Sequence, residues 1–184
     1  MAHTRLVASG DLHLCVFEHS PDAAGPTVVL VHGYPDRQDM WDPVVGLLVG
    51  QGLRVVTYDV RGAGRSGVPD RLSGYRSERL VDDLVAVLDA VLPDGAAAHL
   101  VGHDWGSIQL WDAVAAERTG PRLRDRLASF ISVSGPSLDH AAWLLRHRGD
   151  RRVALLRQLA HSWYVGAFQV PVLPELAWRT AGPT

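Results

Sequence analysis

What most constrains this chain is a repeated run of consecutive aliphatic and β-branched residues. Thr27-Val28-Val29-Leu30-Val31-His32 shows no polar alternation, as expected of a strand covered on both faces of a sheet. The same signature recurs at Arg54 to Val60, Ala97 to Gly102 and Phe130 to Ser134. Helical patterns lie between them. The clearest spans Ser77 to Leu92, where Leu80, Leu84, Val87, Leu88 and Val91 form one stripe and Asp82, Asp83 and Asp89 fall largely off it. Ser77 is the expected N-cap, Glu78 suits the positive end of the helix, and Pro93 stops it. Strands alternating with amphipathic helices require crossover connections, so the class is α/β with a mostly parallel sheet. Ahead of them, Arg5 to Ser9 and Leu12 to Glu18 flank Gly10-Asp11 and predict an antiparallel hairpin. From Pro136 onward the pattern changes: Leu138 to Leu159 reads as an Arg-rich helix, and no further buried strand follows.

Composition narrows function before any motif does. The 184 residues hold 18 basic side chains, all Arg, against 20 acidic ones, a net charge of -2. A nucleic-acid or anionic-membrane partner needs a clustered basic excess, so neither is expected. The apolar runs fall far short of the roughly 18 residues that cross a bilayer. Met1 to Gly10 lack a signal core, and the single Cys15 has no partner for an internal disulfide, so the expected location is cytoplasmic. His99 and His103 stand on a strand and its turn rather than one helix face, which argues against a metal pair; no cofactor is expected.

The chemistry concentrates in Leu100-Val101-Gly102-His103-Asp104-Trp105-Gly106, a buried strand entering a helix through Gly-x-Asp-x-Gly. Glycines two before and two after the central residue suit a sharp elbow that thrusts that residue outward. The same Asp read alone is equally a helix N-cap. Two further loops follow buried strands. His32-Gly33-Tyr34-Pro35-Asp36 is placed to aim backbone N–H groups at the elbow. Asp59 to Ser66 is glycine-rich but lacks the spacing of a nucleotide-binding loop, and reads as structural.

These three motifs, in this order on successive βα units, resemble the α/β-hydrolase superfamily, and Asp followed by Trp at the elbow resembles its epoxide hydrolase and haloalkane dehalogenase branch. The resemblance implies Asp104 as nucleophile, an oxyanion hole from the backbone N–H groups of Tyr34 and Trp105, and often a cis Tyr34-Pro35 bond. Tyr34 stands where dehalogenases typically carry Asn, which favours an epoxide, a small apolar substrate. Carboxylate suits that substrate: attack on an sp³ carbon by Ser would leave an inert ether, whereas Asp104 leaves a hydrolysable ester. The helix N-terminus and two N–H donors favour its ionised form. Ser107 is expected to point into the helix.

Ser162 to Pro171 is similar to the cap segment of epoxide hydrolases, and implies Tyr164 as donor to the epoxide oxygen; the alternative is a Tyr packed in a helix bundle. The region Ala128 to His140 resembles the hydrolase half of epoxide hydrolase/short-chain dehydrogenase fusion proteins. No dehydrogenase fingerprint occurs here, so NAD is not implied. Residues 1–135 are then expected to form the N-terminal half of the hydrolase core and 136–184 a partial helical cap. The family's general base His and its acid lie beyond the cap. The expectation is a truncated hydrolase, inactive in turnover alone: either a fragment, or a chain that needs a complementing partner such as a C-terminal segment or a homo-oligomer. Ser132 occupies the place of an acid in some relatives, Asp139 is a distant substitute, and His32 is a poor replacement base. The competing readings are a dehalogenase and a non-catalytic remnant that binds a ligand or partner.

Overall fold

The computed structural model describes residues 2–118 and 120–147, with 157, 160, 161, 163 and 170. The chain divides into two compact units, Met1–Leu138 and Asp139–Thr184. The first is a six-stranded sheet in the order β1-β2-β4-β3-β5-β6. Its strands are β1 (His3–Ser9), β2 (Leu12–His19), β3 (Thr27–Val31), β4 (Arg54–Tyr58), β5 (Ala98–His103) and β6 (Leu127–Val133). The hairpin forms as its sequence predicts, with Gly10 at φ +61 and β1 antiparallel to β2 from Ser9↔Leu12 to His3↔Glu18. β3 to β6 are mutually parallel and β2 joins β4 antiparallel.

Helices cover both faces. The face under α2 (Ser77–Val91) and α3 (Trp105–Glu117) is packed by Val29, Val31, Val56, Leu84, Leu88, Leu100 and Leu110. The opposite face, under α1 (Asp42–Gly50) and the 3-10 turn Gln38–Trp41, is packed by Val28, Leu30, Trp41, Val45 and Val55. The continuous apolar sequence of β3 is thereby explained: all five residues are buried because both faces are roofed.

Two local expectations are corrected. The N-cap of α2 is Arg76, not Ser77: the Arg76 carbonyl accepts the first helical bonds, from the N–H groups of Arg79 and Leu80, and its side chain makes no cap. Asp83 does not sit on a solvated face; it is 1% exposed and takes two 2.6 Å bonds from Arg61. The run Phe130 to Ser134 has the signature of a covered strand, yet, as expected where no further buried run follows it, one edge stays open: Ile131 is 56% and Val133 41% exposed. β5 pairs with one edge of β6, and no strand among the described residues pairs with the other.

The second unit opens with α4 (Leu138–His147), whose Trp143 ring stacks on His147 with centroids 4.7 Å apart. The remainder of the helix expected up to Leu159 lies outside the described residues except Arg157. No described helix is long and apolar enough to cross a membrane.

Candidate active site

The parallel strands β3, β4 and β5 all end on one edge of the sheet, and the loops that follow β3 and β5 meet there. β5 hands directly to α3 through Asp104, whose φ of +54 and ψ of −123 lie in a region that L residues rarely adopt. Such a backbone persists only where its surroundings enforce it. They do: a Cβ on Gly102 would stand 2.6 Å from the Ser107 Cα, and one on Gly106 would run into the carbonyl oxygens of Val31 and His32. Two bare Cα atoms thus let the turn close and let α3 lie flush against β3. The Asp104 carbonyl then accepts the N–H groups of Ser107 (3.0 Å) and Ile108 (3.1 Å), starting the helix. The cap alternative for the Asp104 side chain is not what forms, as it makes no cap bond to the helix.

The carboxylate instead meets the loop after β3. The Tyr34 N–H donates to Asp104 Oδ1 at 3.1 Å. A Cβ on Gly33 would stand 2.5 Å from that oxygen and 2.7 Å from the Trp105 amide nitrogen, so the loop approaches this closely only because residue 33 has no side chain. The Tyr34-Pro35 bond is cis. Asp104 is partly buried, while Tyr34 and Trp105 are 53% and 51% exposed. The structure therefore brings three of the four predicted site residues together. Tyr164, the fourth, lies outside the described residues.

The loop is braced from beneath. His32 is fully buried; its Nε2 accepts the Val60 N–H at 3.0 Å, which leaves the proton on Nδ1, donated to the Gly33 carbonyl at 2.8 Å. Burial holds its pKa below the usual imidazole value. With both nitrogens engaged, His32 is a strut rather than a base. Asp59 anchors the far end, accepting the N–H groups of Gln38 and Arg65. The glycine-rich turn after β4 is structural, as its sequence suggests.

Ser107 is fully buried and points away from the opening, bonded to Ser132 Oγ at 2.6 Å and to the Gly135 carbonyl at 2.9 Å. Ser132 Oγ also lies 2.8 Å from the Gly135 carbonyl; the two hydroxyls share their two protons among these three contacts, and Ser132 thereby ties the end of β6 to α3. Sequence reasoning missed this clamp, and it missed Asp36 and Trp41, which stand beside His103. Gly33 carried a signal in the His-Gly-x-Pro spacing, but its necessity shows only in three dimensions.

Among the described residues no group of three or more His, Cys, Asp or Glu side chains is arranged to hold a metal. A cavity of about 820 Å³ lies elsewhere, walled by Asp11, Arg61, Arg71, Arg76, Glu78 and Asp82. Its acids and arginines balance, and Arg61 is committed to Asp83 and to the Gly74 and Arg79 carbonyls.

A family model for the alpha/beta hydrolase fold matches residues 26–153. A probable oxidoreductase, EphD, of Mycobacterium tuberculosis is 40% identical over 185 residues, which cover 97% of this chain and 30% of that protein. Epoxide hydrolase B of the same organism is 37% identical over 134 residues, covering 73% of this chain and 35% of that one. Among solved structures, a Vigna radiata epoxide hydrolase mutant superposes with a TM-score of 0.76 at 28% identity, over 98% of this chain and 52% of the other. The chain thus spans about a third of the curated relatives and half of the solved one.

Proposed function

Since the chain belongs to the alpha/beta hydrolase fold family, we propose that it carries the nucleophile half of an epoxide hydrolase, with Asp104 as the attacking carboxylate. Names of relatives support the substrate class: epoxide hydrolase recurs among the curated proteins and the solved structures. The observation that carries the reading is the Tyr34 N–H on Asp104 Oδ1, with Asp104 held at φ +54. One carboxylate oxygen is occupied by an amide, so the other is left to attack.

In this mechanism Oδ2 attacks an epoxide carbon and the carbon–oxygen bond of the ring breaks. The departing ring oxygen takes a proton from Tyr164, in a contact that matters mainly in the transition state. The product is an ester of Asp104. Water then attacks the acyl carbon, one of its protons passing to the departing alcohol oxygen and the other restoring the Tyr164 hydroxyl, and the Tyr34 and Trp105 amides stabilise the resulting oxyanion before it collapses to the free carboxylate and a diol. Loss of one such donor costs about 10²–10³ in rate. Hydrolysis needs a base, and His32 has neither nitrogen to offer. These 184 residues by themselves are therefore expected to form the ester and release it very slowly.

Mass spectrometry after incubation with styrene oxide tests this. A persistent adduct on the peptide containing Asp104, absent in Asp104→Asn, supports the reading. Labelling that survives the substitution overturns it, as does unlabelled protein that binds the epoxide equally well in both forms, which would select a non-catalytic ligand-binding role. Halide release from a haloalkane at a higher rate than epoxide labelling would select a dehalogenase.

A further inference from the structure

β5 alternates in burial, and His103 falls with Val101 on the face roofed by Trp41. An aliphatic or phenyl group would fill that position as well. The chain instead places an imidazole edge-on to the Trp41 ring, with centroids 6.5 Å apart and planes at 89°. Its Nδ1 is buried and makes no hydrogen bond among the described residues. Asp36 Oδ2 stands 4.0 Å from that nitrogen, an ion-pair distance when the ring carries a second proton. A polar atom kept dry without a hydrogen bond costs stability, so its retention calls for a role.

Asp36 lies two residues after Tyr34 in the same loop. The loop is fixed at its start by His32 and at its end by Gln38, whose N–H meets Asp59 and whose Oε1 accepts the Thr57 hydroxyl. Between those anchors it approaches two consecutive residues of the elbow: Tyr34 meets Asp104, and Asp36 meets His103. One attachment leaves a loop free to pivot about it. A second tie on the adjacent residue, from Asp36 to His103 when the ring carries its second proton, fixes its orientation.

We infer that His103 is a positioning residue, which through Asp36 fixes the loop so that the Tyr34 N–H stays on Asp104. The inference rests on Asp104 being the nucleophile only for its effect on rate. The hydrogen bond that it protects exists without substrate.

Two readouts on the purified chain test it: the time course of Asp104 labelling by styrene oxide, and hydrogen exchange of the Tyr34 amide followed by nuclear magnetic resonance. His103→Phe keeps a ring against Trp41 and removes Nδ1. It is expected to slow labelling roughly tenfold, the scale of a small misplacement at a reacting centre, and to speed Tyr34 exchange by a similar factor. Asp36→Ala should do the same, and the double variant should be no slower than either single one, because both remove a single contact. His103→Asn, which keeps an N–H donor near the Nδ1 position, should recover most of the loss. The inference is overturned if His103→Phe behaves as the parent chain, if the two substitutions multiply, or if His103→Asn is as slow as His103→Phe. Should the parent chain show no Asp104 adduct, the nucleophile reading fails, and the exchange data alone still decide whether His103 positions the loop.

Discussion

β5 and β6 lie side by side, parallel from Ala98↔Leu127 to His103↔Val133, with comparably apolar sequences. Their fates differ. Leu100 is fully buried between β3 and β6 under α3, whereas Ile131 and Val133 of the neighbouring strand are exposed at 56% and 41%. Local sequence encodes the tendency to be covered, and only neighbours in space supply the cover. The elbow sits on the covered strand, where backbone strain can be held, and the open strand carries none of the candidate site residues.

The largest effect should come from breaking the covered side at its tightest point. Gly106→Ala puts a methyl against the backbone oxygens of Val31 and His32, which have no rotamer by which to yield. Stability should fall by at least about 3 kcal/mol, the scale reserved for backbone conflicts and overpacked interiors, or folding should fail. Urea denaturation showing near-parental stability would mean that α3 and β3 are not locked together. Next, Leu100→Ala should cost about 2–5 kcal/mol as a buried large-to-small change.

Acid should act more mildly, and on the covered side. Burial holds His32 and His19 below the ordinary imidazole value of 6.5, so both are neutral in the fold and bind protons more readily when the chain is unfolded. Stability is therefore fully present above about pH 6.5 and is lost as pH falls from there through the depressed folded values. Thermal melts stepped downward from about pH 7.5 should show a declining midpoint, and a flat profile would contradict the neutral His32 strut. The smallest effect belongs to the open strand. Ile131→Ala should change stability by no more than about 0.5 kcal/mol, as for other surface positions. A loss equal to that of Leu100→Ala would erase the contrast between the two strands.

Much of the architecture was legible because its signals are local and redundant. The hairpin at Gly10-Asp11, the buried runs of β3, β4 and β5, and the stripe of α2 each follow from side-chain periodicity alone. At the elbow, the pairing of Gly102 with Gly106 announced Asp104. What stayed hidden depends on distant partners. Asp83 reads as an exposed helix acid until Arg61 arrives from a loop 22 residues earlier. α1 drew no expectation, as its uniformly apolar Val44 to Val49 offers no stripe to read. The openness of β6 concerns what is beside it: the strand's own residues signal cover, and its exposure is legible only because no further buried run follows in the sequence.

The bonds from Ser107 and Ile108 to the Asp104 carbonyl make Asp104 the first link of a rod, not the tip of a flexible finger. Whatever tilts α3 carries the carboxylate with it. Leu110, on the same helix and 1% exposed, is thus a setting screw for a carboxylate it never touches. Leu110→Ala should therefore loosen the seat of Asp104 as well as cost the stability of any buried large-to-small change.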